Sequence, residues 1–70
     1  MKTQDTATTI FWDSIADNPG YFGRIRRFYD GWFEDEDVPL DAKDYDSAVA
    51  EIREYLSNPH APVRDGGDYC

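Results

Sequence analysis

The sequence predicts a small, mainly α-helical single domain, with amphipathic helices over about residues 19–33 and 44–57 and a short N-terminal element. Three observations support this prediction. Seventy residues are too few for a second hydrophobic core. Apolar residues recur at helical spacing in two segments, and each segment follows residue types that cap helices. We therefore expect one domain over residues 1–70, in which the polar residues 1–8 and the Pro- and Gly-containing residues 60–70 are mobile.

The N-terminal element has two alternative structures. Thr8 or Thr9 can cap a short helix that begins at Ile10 and places Ile15 near its apolar side. The apolar run at residues 10–12 fits a β-strand equally well. Both alternatives stay open.

The first amphipathic helix is predicted to begin at Asn18-Pro19. Asn is a favourable N-cap, and Pro is tolerated at the first helical position because its missing N–H is not needed there. Apolar residues then fall within an arc of roughly 140° at about 100° per residue. They occupy positions 21, 22, 25, 28, 29, 32 and 33. We assign this aromatic-rich stripe to the core, and the acidic run after Phe33 disfavours continuation of the helix.

A β-hairpin is the alternative for the same segment, and it would make the fold α+β. Asp30-Gly31 is a dipeptide typical of two-residue turns between antiparallel strands. Residues 25–28 do not alternate apolar and polar side chains, so a strand would place an arginine or a ring on the wrong face. This argument favours the helix, despite the cost of Gly23 and Gly31 in a helix interior.

The second amphipathic helix, over about 44–57, has capping signals at both ends. Asp44 or Asp46 can cap its N-terminus, and Asn58-Pro59 ends it. Its apolar residues lie within an arc of roughly 120°. They occupy positions 45, 48, 49, 52, 55 and 56.

The formal net charge of −8 comes from one segment. Residues 30–54 contain ten acidic residues that only Lys43 and Arg53 oppose, so this segment alone carries −8. Acidic side chains this close repel one another within the Debye length of about 8 Å. We therefore expect the segment to have a function, and nine of its residues are the predicted partner-binding set: Glu34, Asp35, Glu36, Asp37, Asp41, Asp44, Asp46, Glu51 and Glu54.

Catalysis and metal binding lack the residues they need. His60 is the only histidine and Cys70 the only cysteine, so neither a nucleophile–histidine arrangement nor a zinc site can be assembled. The acidic run does not match an EF-hand, because the sixth position counted from Asp35 is Leu40 where that loop needs Gly. We expect no enzyme activity, no catalytic residues, no metal and no cofactor.

Charge and hydropathy also exclude classes of partner. The acidic surplus disfavours direct nucleic-acid binding, which needs Lys and Arg for phosphate contacts. No apolar run is long enough to cross a membrane. A single cysteine excludes an intrachain disulfide within these 70 residues, which is typical of a cytoplasmic location.

This profile resembles the small acidic inhibitors of host defence that phages and plasmids encode, the anti-CRISPR and antirestriction proteins. Three features are similar to the opening repeat unit of ArdA-type antirestriction proteins. They are residues 10–12 before residues 17–20 (Asp-Asn-Pro-Gly), the pair Gly31-Trp32, and residues 44–46 (Asp-Tyr-Asp) ahead of a helix. That family has strands where the apolar spacing predicts the helix over 19–33. The resemblance implies an acidic surface that mimics DNA, acting in the host bacterial cytoplasm.

The predicted function is a non-enzymatic inhibitor that blocks the basic nucleic-acid-binding site of a CRISPR effector or restriction enzyme. Carboxylates can form charge-assisted bonds with the lysines and arginines that otherwise hold phosphates. The alternative is an acidic adaptor or small regulatory subunit that docks through an aromatic edge, for which Trp32 and Phe33 are the candidates. A homodimer is a further alternative, because it would lengthen the acidic surface.

Overall fold

The computed structural model describes residues 5–15 and 17–69, which form a four-stranded mixed sheet and one helix. The elements are β1 (Asp5–Asp13), β2 (Gly20–Tyr29), β3 (Trp32–Pro39), α1 (Tyr45–Tyr55) and β4 (Arg64–Tyr69). The strand order is β3-β2-β1-β4, and only the β1–β4 pair is parallel. The fold is therefore mainly β, and the prediction of a mainly α domain with two helices is wrong.

Residues 19–33, predicted as a helix, instead contribute β2, a tight turn and the beginning of β3. Tyr29 pairs with Trp32 across Asp30-Gly31, as in the hairpin alternative. Gly31 has a φ of +81°, a conformation that favours glycine. Asp30 does not have a positive φ, so the turn is not the type I′ turn that the dipeptide suggests.

The helix-like spacing in this segment arises because β2 has large side chains on both faces. Successive residues of a strand point to opposite faces. Ile25 is completely buried on the face under α1, while Arg24 and Arg26 lie on the opposite face. The arginines are accommodated there because each pairs with an aspartate of β3. The strand therefore lacks apolar–polar alternation, and the absence of that alternation was the argument for a helix.

The helix predicted over about 44–57 is confirmed as α1, with somewhat shorter bounds. Asp44 is the N-cap, and its Oδ1 accepts a 3.0 Å hydrogen bond from the backbone N of Ser47. Leu56 is the C-cap, and Ser57 follows with a φ of +57°. The backbone N–H of Ser57 donates to the carbonyl of Glu54, which satisfies one of the last helical acceptors.

The two ends of the described chain also belong to the sheet. Residues 10–12 lie in β1, so the strand alternative is the one adopted and the short helix from Ile10 is not. Residues 5–8 pair with β2, and Arg64–Tyr69 pairs with β1, so part of each predicted mobile end is hydrogen-bonded in the sheet. Residues 1–4, 16 and 70 lie outside the described residues. No helix in the described part of the chain has the length and apolar character needed to cross a membrane.

The hydrophobic core lies between α1 and one face of the sheet, the covered face. Ile10, Ile25, Ala48 and Ile52 are at most 1% exposed and form its centre. Gly23 lies directly beneath Ile52, because a Cβ on this glycine would be only 2.7 Å from Ile52 Cδ1. The missing side chain thus lets α1 approach the sheet closely. The opposite face, the uncovered face, carries residues Phe11, Phe22, Arg24, Arg26, Phe28, Phe33, Asp35 and Asp37.

Candidate functional site

The four consecutive acidic residues of the predicted partner-binding set do not form one surface. They lie on β3, where alternate side chains point to opposite faces. Glu34 and Glu36 lie on the covered side, and Asp35 and Asp37 lie on the uncovered face. The strand geometry therefore divides a run that a helix C-terminus or loop would have kept together.

The two aspartates on the uncovered face are paired with arginines from β2. Arg26 Nε and Nη2 donate to the two carboxylate oxygens of Asp35 at 2.7 and 2.9 Å. Arg24 makes the equivalent pair of bonds to Asp37 at 2.8 and 3.2 Å. The hydrogen bond from Arg26 holds the pKa of Asp35 below its ordinary value. Each aspartate is thus neutralised within the molecule by a bidentate contact.

Glu36 is bonded to two side chains on the covered side. The hydroxyl of Tyr55, on α1, donates to Glu36 Oε2, and Arg27 Nη1 donates to Oε1 at 2.9 Å. These two bonds, first that from Tyr55, lower the pKa of the Glu36 carboxyl, and the same contact raises the pKa of Tyr55. Its neighbour Glu34 accepts a 2.7 Å bond from the Tyr29 hydroxyl. Glu36 therefore links α1 to the sheet.

The other five predicted acidic residues lie together on α1 and in the loop that precedes it. Both carboxylate oxygens of Glu51 accept from the backbone N of Asp41, at 3.1 and 3.0 Å. Asp44 caps the helix, and the bond from Ser47 lowers its pKa. Asp46 and Glu54 are exposed. The structure thus brings this group into one layer and leaves the two aspartates of the uncovered face on the other side of the sheet.

Pairing within the molecule does not reduce the net charge. Three arginines of β2 bind three carboxylates of β3. These pairs leave 12 acidic residues against four basic residues in the sequence, so the charge stays at −8. Of these 12 acidic residues, 11 lie outside the Glu34–Asp37 run that the sequence emphasises.

Aromatic rings and guanidinium groups alternate along the uncovered face. Phe11 and Phe22 stack with their ring centroids 5.3 Å apart. The Arg24 guanidinium carbon lies 5.4 Å from the Phe11 centroid and 5.6 Å from that of Phe22, within cation–π range. Antiparallel sheets with one open face usually carry polar side chains there. Phe11 and Phe22 instead place half-buried rings on the face of the sheet that α1 does not cover.

The turn between β2 and β3 presents two pairs of exposed aromatic side chains, which together we call the hairpin tip: Tyr29 and Trp32 on the covered side, and Phe28 and Phe33 on the uncovered face. Their exposed fractions range from 37% for Tyr29 to 56% for Trp32. The Tyr29 and Trp32 rings stack at 4.4 Å, and the Phe28 and Phe33 centroids are 6.1 Å apart. The Arg26 guanidinium lies 4.0 Å from the centroid of the Phe33 ring. Both pairs are therefore exposed and also held in place.

The prediction that these four residues belong to the buried stripe of a helix is wrong, because all four are exposed. Only the alternative function treats Trp32 and Phe33 as an exposed aromatic edge, and it does not include Phe28 and Tyr29. The signal that could have found them is the Asp30-Gly31 dipeptide, because a turn there makes both flanking pairs cross-strand neighbours at an exposed end.

The residues singled out for metal binding do not come together in the described part of the chain. No group of three or more His, Cys, Asp or Glu side chains within residues 5–15 and 17–69 could hold a metal ion. His60 is exposed between α1 and β4, and its backbone N donates to Asn58 Oδ1 at 3.1 Å. Cys70 lies outside the described residues. Comparisons with protein families, with curated proteins and with solved structures found no match to this chain.

Proposed function

We propose that this protein is a non-enzymatic adaptor that docks its hairpin tip onto a basic surface of a partner protein in the cytoplasm. The observation that carries the proposal is the exposure of four aromatic side chains at one end of a rigid sheet. Aromatic residues dominate the binding energy of protein interfaces, and Trp and Tyr are the most enriched of them at hot spots. The hairpin tip therefore supplies the anchors that an acidic surface alone would lack.

The hairpin tip is organised before it binds. Stacking fixes Tyr29 against Trp32, and the bond from the Tyr29 hydroxyl to Glu34 fixes the tyrosine further. Arg26 covers one face of Phe33 while its guanidinium is held by Asp35. Side chains that are ordered in the free protein lose less entropy on binding. Rigid rings at an exposed turn thus favour docking as their role.

The charge of the molecule defines the partner's chemistry. A net charge of −8 on 70 residues attracts a basic surface and repels an acidic one. Asp30 and Glu34 adjoin the hairpin tip, so the rim of the contact is acidic as well. We therefore expect association to be slower at high salt, with the hairpin tip setting the lifetime of the complex.

The experiment is capture of a partner from a lysate of the source cells, followed by calorimetry with the purified partner. A Trp32→Ser/Phe33→Ser variant should weaken binding by about 30-fold or more, because hot-spot truncations cost at least about 2 kcal/mol. Ile15→Ser is the matched control, since Ile15 is 69% exposed but lies away from the hairpin tip. Unchanged affinity in a folded Trp32→Ser/Phe33→Ser variant would exclude this function.

The second candidate is the DNA-mimicking inhibitor of a CRISPR effector or restriction enzyme. The observation that favours it is the layer formed by α1 and its preceding loop, which keeps five of the nine predicted acidic residues together. The mechanism would be occupation of a basic nucleic-acid channel by carboxylates, without direct contact to nucleic acid. Either candidate is compatible with a homodimer, which sedimentation of the purified protein would detect.

Two variants separate the candidates. Replacing Asp41, Asp46 and Glu54 by the corresponding amides should abolish competition with duplex DNA for a mimic and change an adaptor only slightly. The Trp32→Ser/Phe33→Ser variant should have the opposite effect. Binding measured between 50 and 300 mM salt gives the third criterion, because a mimic that releases counterions should lose affinity steeply over that range.

A further inference from the structure

The sheet has a second feature at the end remote from the hairpin tip. A cleft of about 660 Å³ opens there between the β1–β2 loop and the loop that connects β3 to α1. Its apolar wall is formed by Trp12, Pro19, Tyr21, Pro39 and Leu40. Its size lies within the range of about 300–1,000 Å³ found for ligand sites, which are also mostly apolar.

Two aromatic residues form the main wall of this cleft. Trp12 on β1 and Tyr21 on β2 are cross-strand partners. Their ring centroids are 5.0 Å apart and their planes meet at 69°, an edge-to-face arrangement that makes a corner. Both side chains are half-buried. The contact between the two rings therefore gives the cleft a fixed aromatic wall.

The polar atoms of the same two residues are available to a ligand. Within residues 5–15 and 17–69, no acceptor or donor pairs with the Trp12 indole N–H or the Tyr21 hydroxyl. No buried side-chain N or O in the described chain lacks a partner, so both groups are open to water or to the cleft. Half-buried Trp and Tyr residues commonly use such groups to bind an external acceptor.

Apolar walls combined with two donors fit a ligand that offers carbonyl oxygens and few N–H groups. A polyproline II segment has this chemistry, because proline has no backbone N–H and its carbonyls are solvated. It docks in aromatic-lined grooves at low entropic cost, since its conformation is already fixed. A simple alkylammonium cation could use the ring faces but would leave both donors without acceptors.

The rim of the cleft adds a preference for positive charge. Asp13 and Asp41 lie on it with Lys43, which gives a net charge of −1 locally on a molecule of −8. From the walls, the donors and the rim, we propose that this cleft binds a proline-rich peptide segment with basic flanking residues. The site is separate from the hairpin tip and does not rest on the function proposed above.

The test uses the full chain carrying Trp32→Phe, so that Trp12 is the single tryptophan and its fluorescence reports on the cleft. The probe is a decaproline peptide with one arginine at each end. The comparison peptide has alternating Gly and Ser between the same two arginines. We expect a saturable shift of Trp12 emission with the proline peptide, with a dissociation constant below 1 mM, and none with the Gly-Ser peptide. Calorimetry with the unmodified protein should give the same constant.

A conservative variant tests the proposed donor. Tyr21→Phe keeps the ring and removes only the hydroxyl, so it should weaken binding by about fivefold, the effect of one hydrogen bond. Tyr29→Phe is the matched control at the other end of the sheet and should leave binding unchanged. Thermal melting of each variant confirms that it is folded.

Three results would overturn the proposal: no saturable binding up to 5 mM peptide, equal binding of the two peptides, or full affinity in folded Tyr21→Phe. Binding of choline in preference to the proline peptide would also overturn it, because the ring faces would then be the determinant. Loss of partner binding in the Trp32→Ser/Phe33→Ser variant bears on the hairpin tip alone, so the two proposals can fail separately.

Discussion

The two faces of the sheet are stabilised by different means, although the same three strands supply most of both. The covered face packs aliphatic and small residues: Ile10 and Ile25 lie under Ala48 and Ile52, and Gly23 leaves room for the helix. The uncovered face instead combines rings with arginine–aspartate pairs and stays in contact with water. Folding stability should therefore reside mainly in the first face, which leaves the second free to change for binding.

The largest loss of stability should come from truncating a buried side chain that packs against the covered face. Ile52→Ala removes three carbons from a completely buried side chain, which typically costs about 2–5 kcal/mol. A domain of this size has about 3–5 kcal/mol of stability in total. We expect the variant to be largely unfolded at 25 °C, as measured by circular dichroism and urea titration.

Ile15→Ala is the matched control for that substitution. The residue type and the change are identical, but Ile15 is 69% exposed. Its urea midpoint should stay within experimental error of the unmodified protein. Comparable losses at both positions would show that the covered face is not the source of stability.

A second comparison replaces one glycine on each face of the sheet by alanine. A Cβ on Gly23 would be 2.7 Å from Ile52 Cδ1, whereas a Cβ on Gly66 would be 2.4 Å from the Phe11 ring. Gly23→Ala should cost about 1–3 kcal/mol, since Ile52 is enclosed and cannot move. A Cβ on Gly66 would also lie 2.7 Å from Thr9 Cγ2, but Gly66→Ala should cost less because Phe11 and Thr9 are only half-buried and can shift. Urea titration of the two variants compares the losses.

A double variant checks the cause of the Gly23→Ala loss. Ile52→Val removes Cδ1, the atom that the new methyl group would meet. Gly23→Ala combined with Ile52→Val should therefore be more stable than the sum of the single losses predicts. Simple additivity would mean that the loss has another origin.

The contrast between the faces also explains which elements could be predicted from the sequence. α1 was predictable because its buried residues, Ala48 and Ile52, lie on one side and its caps, Asp44 and Asn58-Pro59, are local signals. β2 was not, because rings and arginines on the uncovered face removed the alternation that marks a strand. The positions of the arginines in a strand are explained only by their aspartate partners on β3.

The candidate site was partly predictable for the same reason. The acidic character of residues 34–37 is plain in the sequence, but their division between faces depends on strand register. The bonds from Arg24 and Arg26 depend on that register as well. β4 was missed because Gly66-Gly67 resembles a flexible tail, and its pairing with β1 is a long-range contact that local patterns do not encode.

A smaller effect on stability is expected from relieving backbone strain at the C-terminal end of α1, the helix that covers one face of the sheet. Ser57 follows the end of α1 with a φ of +57°, which costs a non-glycine residue about 1–2 kcal/mol. Ser57→Gly relieves this strain but adds freedom to the unfolded chain, so the net gain should be about 0.5–1 kcal/mol. Gly31→Ala, at a φ of +81° with no neighbour within 4 Å, should show a loss of similar size. Thermal melting measures both, and a less stable Ser57→Gly would contradict the argument.

The smallest effect on stability should come from the ion pairs of the uncovered face, because exposed pairs contribute little. The hydrogen bond from Arg26 lowers the pKa of Asp35 below its ordinary 3.8. The stability this carboxyl contributes is therefore complete above pH 3.8 and is lost as the pH falls through the lower pKa of the folded state.

Carboxyl NMR should find the Asp35 pKa below 3.8, and Arg26→Gln should return it toward that value. Arg53→Gln, which removes a bond to the Ala61 carbonyl on the covered side, is the control and should leave the Asp35 pKa unchanged. A pKa of Asp35 that is insensitive to Arg26→Gln would show that the pair does not hold in solution, and the uncovered face would then present free carboxylates to a partner.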